Sequence, residues 1–139
     1  MATMRTSRRT FLRGAAAAAA FPLPAIAQGA GPKVVVIGGG FAGASAARFV
    51  KKEHPAATVT LVETNATFTA CPFSNGVLAG LRDLRAQQFN YENIASGGVS
   101  LVFQAATAVD PQARSVTLSG GMKLPYDRMV MPGAITIRS

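Results

Sequence analysis

In the stretch KVVVIGGGFAG, residues 33–43, an apolar run is followed at once by a glycine-rich segment. Residues 33–37 form a short β-branched run, the composition of a strand buried in a parallel sheet. Three consecutive glycines follow, and a further glycine completes the spacing G-x-G-x-x-G. Residues 44–52 then read as a helix of small residues, which we expect to turn Phe49 and Val50 inward. Strand, glycine turn and helix in this order are typical of a nucleotide-binding βα unit.

Each glycine of this motif has a separate physical role. Gly38 permits a tight turn, Gly40 leaves room for a pyrophosphate against the backbone, and Gly43 lets helix and strand pack closely. A helix that begins here presents free N–H groups and a partial positive charge to phosphates. The alternative is that the glycines serve turn geometry alone. We assign the cofactor phosphates to the motif as a whole: Gly38, Gly39, Gly40, Phe41, Ala42 and Gly43.

A second apolar run, residues 58–62, ends in Glu63, which stands 25 residues after Gly38. A carboxylate at the end of the second strand can accept hydrogen bonds from a ribose diol. This favours a dinucleotide whose adenosine ribose is unphosphorylated, so it disfavours NADP and leaves FAD and NAD open. A Glu63 that is merely solvated is the alternative.

The rest of the chain predicts a sheet with an insertion. Residues 64–80 read as a loop, residues 81–96 as one or two short helices, and residues 100–106 as a third strand. Three further strand-like runs follow, at residues 115–118, 123–126 and 128–131. The predicted fold class is α/β, a Rossmann-like segment in which a parallel sheet carries a three-stranded β-meander. We expect it to be incomplete, with one edge and one face of the sheet uncovered.

Residues 1–27 have the three zones of an export signal. Arg8 and Arg9 precede an apolar run at residues 14–21, and a small-x-small cleavage site ends at Ala27. The arginine pair followed by x-Phe-Leu resembles the twin-arginine signal, which implies a periplasmic protein. The apolar run is too short for a membrane span of about 20 residues. An uncleaved anchor and a poly-alanine helix of the fold are the alternatives.

The charge pattern argues against nucleic acid as a partner. The chain has a formal net charge of +8, and loss of the four arginines in residues 1–27 lowers it to +4. The remaining basic residues are scattered, without a block or an aromatic-interleaved stripe. We interpret them as solvated surface charges.

Five segments together carry a resemblance to a known family: residues 34–43, 59–65, 71–75, 110–111 and 126–133. Over residues 33–135 the chain resembles the FAD and pyridine-nucleotide disulfide oxidoreductases. Within that superfamily it is most similar to the flavoprotein subunits of flavocytochrome c sulfide dehydrogenases. The Cys-x-x-Ser-Asn segment is the most selective of the matching motifs. The resemblance implies that the dinucleotide is FAD and that residues 28–139 are the first, truncated segment of an FAD-binding domain.

The resemblance also gives Cys71, the only cysteine of the chain, a role. It implies a thioether between Cys71 and the 8α-methyl group of the flavin, so that the thiol is a tether rather than a redox partner. A thiolate is a strong nucleophile toward an electron-poor flavin. The residues alone leave open a small buried thiol or a free thiol of an exported protein.

Further positions follow from the resemblance and from their place in the chain. Ser74 and Asn75 match the Ser-Asn pair of the flavin loop, although both are also ordinary turn formers. We expect Thr64 and Asn65 to help to hold the adenosine, and Ala105 to face the adenine through its backbone. Pro132 and Gly133 are expected near the pyrophosphate.

For the whole protein, the resemblance implies oxidation of sulfide to sulfur or polysulfide, with electrons passed to the haem of a c-type cytochrome subunit. No Cys-x-x-Cys-His sequence is present, so the haem would belong to that partner. The family's redox disulfide needs two cysteines beyond this length of chain, so we assign no catalytic residue here and expect the segment alone to be inactive. The alternatives are a sulfide:quinone oxidoreductase, another FAD-dependent NAD(P)H reductase, or a nonenzymatic nucleotide-binding fragment.

Overall fold

The computed structural model describes residues 31–133, so the predicted signal peptide lies outside the described residues. The helices are α1 Phe41–Glu53, α2 Ser74–Leu78 and α3 Glu92–Ala95, with a 3₁₀ helix at Leu84–Gln87. The strands are β1 Lys33–Ile37, β2 Thr58–Glu63, β3 Thr67–Thr69, β4 Gln88–Asn90, β5 Ser100–Phe103, β6 Ala106–Asp110, β7 Ser115–Leu118, β8 Lys123–Pro125 and β9 Arg128–Val130.

A four-stranded parallel sheet, in the order β5-β2-β1-β9, organises the fold. Val34 of β1 pairs with Val59 on one side and with Arg128 on the other. The chain continues from β1 to β2 on one side of β1 and later returns as β9 on the other side. The strand order therefore reverses at β1, and open α/β sheets bind ligands at such topological switch points. Ile37 pairs with Val62, so the glycine turn and Glu63 emerge side by side at the carboxyl edge of the sheet.

Both faces of this sheet are covered, so the expectation of an uncovered face was wrong. Val34 and Val36 face a core beneath α1 and α3, whereas Val35 and Ile37 face a second core. The antiparallel meander β6-β7-β8 covers that second face, with Val116 among its fully buried side chains. Burying each such side chain stabilises the fold by about 1.5–3 kcal/mol, which explains why the meander docks on the sheet.

Helix α1 buries a narrow stripe of small residues. Gly43 and Ala47 lie inward one turn apart, and Val50 is partly buried beside them. The prediction that Phe49 also turns inward was wrong, because its side chain is 65% exposed. Phe49 falls off the stripe that the 3.6-residue period defines.

The segment after β2 is more ordered than the loop that the sequence predicted. Strand β3 pairs with β4 in an antiparallel hairpin, with Phe68 opposite Phe89. Helix α2 is the next element after β3, with four residues between them. Between residues 31 and 133, no helix has both the length and the apolar character needed to cross a membrane.

Candidate nucleotide-binding site

The glycine turn joins β1 to α1 with a backbone that other residues would strain. Gly38 has φ +102°, a conformation that glycine adopts at low cost, and its N–H donates to the carbonyl oxygen of Val62 at 2.8 Å. A Cβ atom at Gly43 would overlap the carbonyl oxygen of Gly38, so the close approach of helix and turn depends on glycine. The roles that the sequence predicted for these two glycines agree with this geometry.

The amino-terminal end of α1 is open for an anion. Gly40 is the N-cap, with no side-chain cap, and its carbonyl oxygen accepts from the N–H of Ala44 at 2.9 Å. A helix N-terminus without a side-chain cap presents N–H groups that lack an intrahelical partner, here at Phe41, Ala42 and Gly43. No acidic residue stands in this first turn to compete for an anion.

Glu63 is held at the end of β2 by three backbone donors. Its Oε2 atom accepts from the N–H of Gly39 at 2.5 Å, and Oε1 accepts from Thr64 at 2.7 Å and from Asn65 at 3.1 Å. The carboxylate is half-buried and oriented against the glycine turn. It keeps lone-pair capacity that a ribose hydroxyl can use, since an ionised carboxylate accepts about four hydrogen bonds.

Tyr91 completes this arrangement, and the sequence analysis did not identify it. Its side chain is 4% exposed, and its hydroxyl donates to the carbonyl oxygen of Gly39 at 3.1 Å. Burial, and secondly the negative charge of Glu63, raise the pKa of Tyr91 above 10.0. No local motif marks Tyr91, because its partner lies 52 residues earlier in the chain.

Two cavities adjoin Glu63. The smaller, about 170 Å³, brings together Gly38, Glu63, Thr64 and Ala105, all of which the sequence assigns to the cofactor site. The carbonyl oxygen of Ala105 already accepts from the N–H of Ser119 at 2.8 Å, so its backbone is partly engaged.

The larger cavity, about 610 Å³, lies on the side of the β3–β4 hairpin. Asn65, Phe68 and Tyr91 line it together with Glu63. Phe68 also contacts the ring of Phe41 edge-on, with centroids 5.0 Å apart, and so connects this hairpin to the first residue of α1.

The segment around Cys71 lies just beyond β3. Cys71 is exposed and unpaired, and its carbonyl oxygen accepts from the N–H of Ser74 at 3.1 Å. Phe73, between them, has φ +68°. The side chain of Asn75 accepts from the N–H of Gly76 at 2.9 Å, which is the local turn role that the sequence left open. These contacts form a compact turn that presents the thiol to solvent.

Pro132 and Gly133 differ in their relation to the site. The Cγ atom of Pro132 would lie 3.2 Å from a Cβ placed on Gly43, so this proline packs beside the start of α1. Among the described residues, no atom lies within 4 Å of the position of a Cβ on Gly133.

The residues fit a dinucleotide better than a metal. Among residues 31–133, the atom near the position of a Cβ on Gly40 belongs to Phe68, at 3.8 Å, which leaves room for a pyrophosphate against this backbone. Within residues 31–133, no group of three or more His, Cys, Asp and Glu side chains is placed to hold a metal ion.

Residues 32–133 match the family model described as pyridine nucleotide-disulphide oxidoreductase. A sulfide dehydrogenase [flavocytochrome c] flavoprotein chain from Chlorobaculum thiosulfatiphilum is 56% identical over 45 residues, which are 32% of this chain and 94% of that one. This relative confirms the predicted resemblance to sulfide dehydrogenase flavoproteins.

Solved structures of related enzymes share the fold. The sulfide:quinone oxidoreductase of Aquifex aeolicus superposes with a TM-score of 0.68 at 26% identity, covering 76% of this chain and 25% of that chain. The water-forming NADH oxidase of Lactobacillus brevis gives 0.65 at 27% identity, covering 72% of this chain and 24% of that chain. This chain therefore spans about a quarter of the length of these two structures. The α/β fold class is confirmed, and since the family match runs from before β1 to beyond β9, the chain belongs to the pyridine nucleotide-disulphide oxidoreductase family.

Proposed function

We propose that this chain is the FAD-binding segment of a sulfide dehydrogenase flavoprotein, which oxidises sulfide and passes the electrons to a c-type cytochrome subunit. The observation that carries the proposal is the 56% identity over 45 residues to a flavocytochrome c flavoprotein chain. The family consists of flavin-dependent oxidoreductases, and a sulfide-oxidising enzyme is among the solved structures with this fold.

Separate residues of this chain hold separate parts of FAD in the proposal. The N–H groups at the start of α1, from Phe41 to Gly43, bind the pyrophosphate. Glu63, fixed by its three backbone donors, accepts from the adenosine ribose, and its charge disfavours a 2′-phosphate. Bound FAD supplies two-electron oxidation of the substrate and single-electron release to an acceptor.

Cys71 is the proposed attachment point of the flavin. Its thiol is exposed, so a flavin can reach it without prior opening of the core. Position also supports this role, because Cys71 comes two residues after β3, whose Phe68 contacts Phe41 at the start of α1. A thioether here would keep the cofactor bound in an exported protein, and we propose export to the periplasm by the signal of residues 1–27.

Mass spectrometry of the Cys71 peptide from the whole exported flavoprotein tests the attachment. We expect the added mass of a flavin on this peptide and yellow colour that stays with acid-denatured protein. The variant Cys71→Ser should keep FAD but release it on denaturation. Ser74→Ala is the matched control, since it alters the same turn but leaves the thiol. An unmodified Cys71 in folded, FAD-containing protein would refute the tether.

Electron acceptors distinguish the proposal from its strongest competitor, a sulfide:quinone oxidoreductase, which the similarity to the Aquifex aeolicus structure favours. The purified flavoprotein, with any subunit that co-purifies, is mixed with sulfide and either a c-type cytochrome or a soluble quinone. Faster sulfide-dependent reduction of the cytochrome supports the proposal. Reduction of the quinone alone would replace it with the quinone-linked reaction.

A further inference from the structure

Gln87 is a buried polar side chain without a partner. It is 2% exposed, and neither its Nε2 nor its Oε1 atom makes a hydrogen bond within the described residues. A buried carboxamide offers two N–H donors and one carbonyl acceptor, and leaving them unpaired is costly. An apolar residue of the same size would avoid that cost, so the amide needs another explanation.

Gln87 lies at the end of the β3–β4 hairpin, where its backbone pairs with Ala70. The N–H of Ala70 donates to the carbonyl oxygen of Gln87 at 2.9 Å, which extends the β3–β4 register by one pair. Ala70 and Gln87 are both buried, whereas their neighbours Thr69 and Gln88 are exposed. Ala70 is two residues after Phe68, so side-chain alternation puts it on the face that carries Phe68; Gln87, the last residue of the 3₁₀ helix, pairs with Ala70 through the backbone.

That face is directed at the nucleotide site. Phe68 packs against the core that contains Tyr91, and its ring lies beside Gly40 and Phe41. One step further along the hairpin come Ala70 and Gln87, and the next residue after Ala70 is Cys71. Along the hairpin, the pair of Ala70 and Gln87 therefore stands between Phe68 and Cys71.

The order of groups along FAD matches this order of residues. The ribityl chain connects the pyrophosphate to the flavin ring, and its hydroxyls both donate and accept hydrogen bonds. We propose that the carboxamide of Gln87 binds the ribityl hydroxyls of FAD. This inference rests on the proposed function, because it requires FAD in the site.

Binding requires a local movement, since the amide is covered when FAD is absent. Residues 71–86 form the connection between Ala70 and Gln87. Because the backbones of these two residues are hydrogen-bonded, this connection begins and ends next to Gln87. It holds its large apolar side chains outward: Phe73 is 71% exposed, Leu78 90% and Leu81 85%. A segment with so little apolar burial opens at low cost.

The variant Gln87→Leu tests the inference in the full flavoprotein, in a Cys71→Ser background that keeps FAD binding reversible. In FAD-free protein we expect a higher melting temperature, because an unpaired buried amide is replaced by an apolar side chain. We expect the dissociation constant for FAD, measured by quenching of flavin fluorescence, to rise about tenfold. Gln87→Met is the second variant, for the case that Leu does not fold.

Gln88→Leu is the matched control, since Gln88 is the exposed neighbour in the same hairpin. It should change neither measurement. An unchanged FAD affinity in Gln87→Leu would overturn the inference while leaving the proposed FAD site intact. A lower melting temperature of FAD-free Gln87→Leu would also overturn the inference, because the loss of stability would mean that the amide already has a partner such as an internal water. Failure of the Cys71→Ser parent and the Gln88 control to bind FAD would instead refute the proposed function, and the inference with it.

Discussion

The hydroxyl of Tyr91 and the carbonyl oxygen of Gly39 are 3.1 Å apart and share a buried hydrogen bond. The N–H of the same glycine donates to Glu63 at 2.5 Å. Gly39 is thus fixed through both of its backbone polar groups, by side chains from two other parts of the chain. The glycine turn, which we propose as the phosphate site, is therefore held in shape without a nucleotide.

The variant Gly39→Ala should be strongly destabilising. A Cβ at Gly39 would lie 2.7 Å from Cζ and 2.8 Å from Cε1 of Tyr91, so either the ring or the turn must move. We expect a loss of about 1–3 kcal/mol in the free energy of unfolding, measured by urea denaturation, which is the usual cost of overpacking. Gly76→Ala is the control, because within the described part of the chain its Cβ would meet Arg82 Cβ alone, at an ordinary contact distance of 3.8 Å. Equal stability of the two variants would contradict the contact.

Tyr91→Phe should change stability in a pH-dependent way. At neutral pH we expect a loss of about 1 kcal/mol, because the carbonyl oxygen of Gly39 loses its donor. The folded-state pKa of Tyr91 is raised, so the stabilisation from the neutral hydroxyl is complete below the unfolded value of 10.0 and declines as pH rises from there through the folded pKa. Urea denaturation at neutral pH and above pH 10 should therefore show the wild type and Tyr91→Phe converging. A constant gap over that range would contradict the raised pKa.

Glu63→Gln should damage both the turn and nucleotide binding. A carboxamide has one acceptor oxygen, whereas Glu63 accepts from the three N–H groups of Gly39, Thr64 and Asn65. We expect a loss of about 1–3 kcal/mol in the free energy of unfolding and FAD binding about tenfold weaker by fluorescence titration. Glu53→Gln is the control, since Glu53 is exposed at the last residue of α1. If both variants bind FAD equally, Glu63 does not contact the ribose.

The local parts of the site could be predicted from the sequence, because neighbours in the chain determine them. The β-branched run, the glycine spacing and the acid after the second strand predicted β1, the turn and Glu63, and the structure places them side by side. Gly38 requires glycine for its own φ, which is a local property that sequence spacing can report.

The long-range parts could not be predicted in the same way. Tyr91 is 52 residues from its partner Gly39, and β3 pairs with a strand beyond a helix and a 3₁₀ turn. No spacing rule relates such positions, because tertiary packing alone brings them together. Phe49 was predicted to turn inward because it is apolar, but its side chain is exposed. The residues that α1 buries fully, Gly43 and Ala47, are small.

The edge-on pair of Phe41 and Phe68 should couple the start of α1 to the β3–β4 hairpin. The ring planes are 83° apart with centroids at 5.0 Å, a favourable aromatic geometry. A double-mutant cycle of Phe41→Leu and Phe68→Leu, measured by urea denaturation, should give a coupling free energy of about 0.5–1.5 kcal/mol. Phe68→Leu alone should cost more than Phe41→Leu alone, because Phe68 packs against the core whereas Phe41 is 58% exposed. The cycle of Phe49→Leu with Phe68→Leu is the control, since Phe49 is an exposed aromatic of the same helix, about two turns after Phe41, and it should show no coupling. Coupling of similar size in both cycles would mean that the effect belongs to the helix as a whole rather than to this pair.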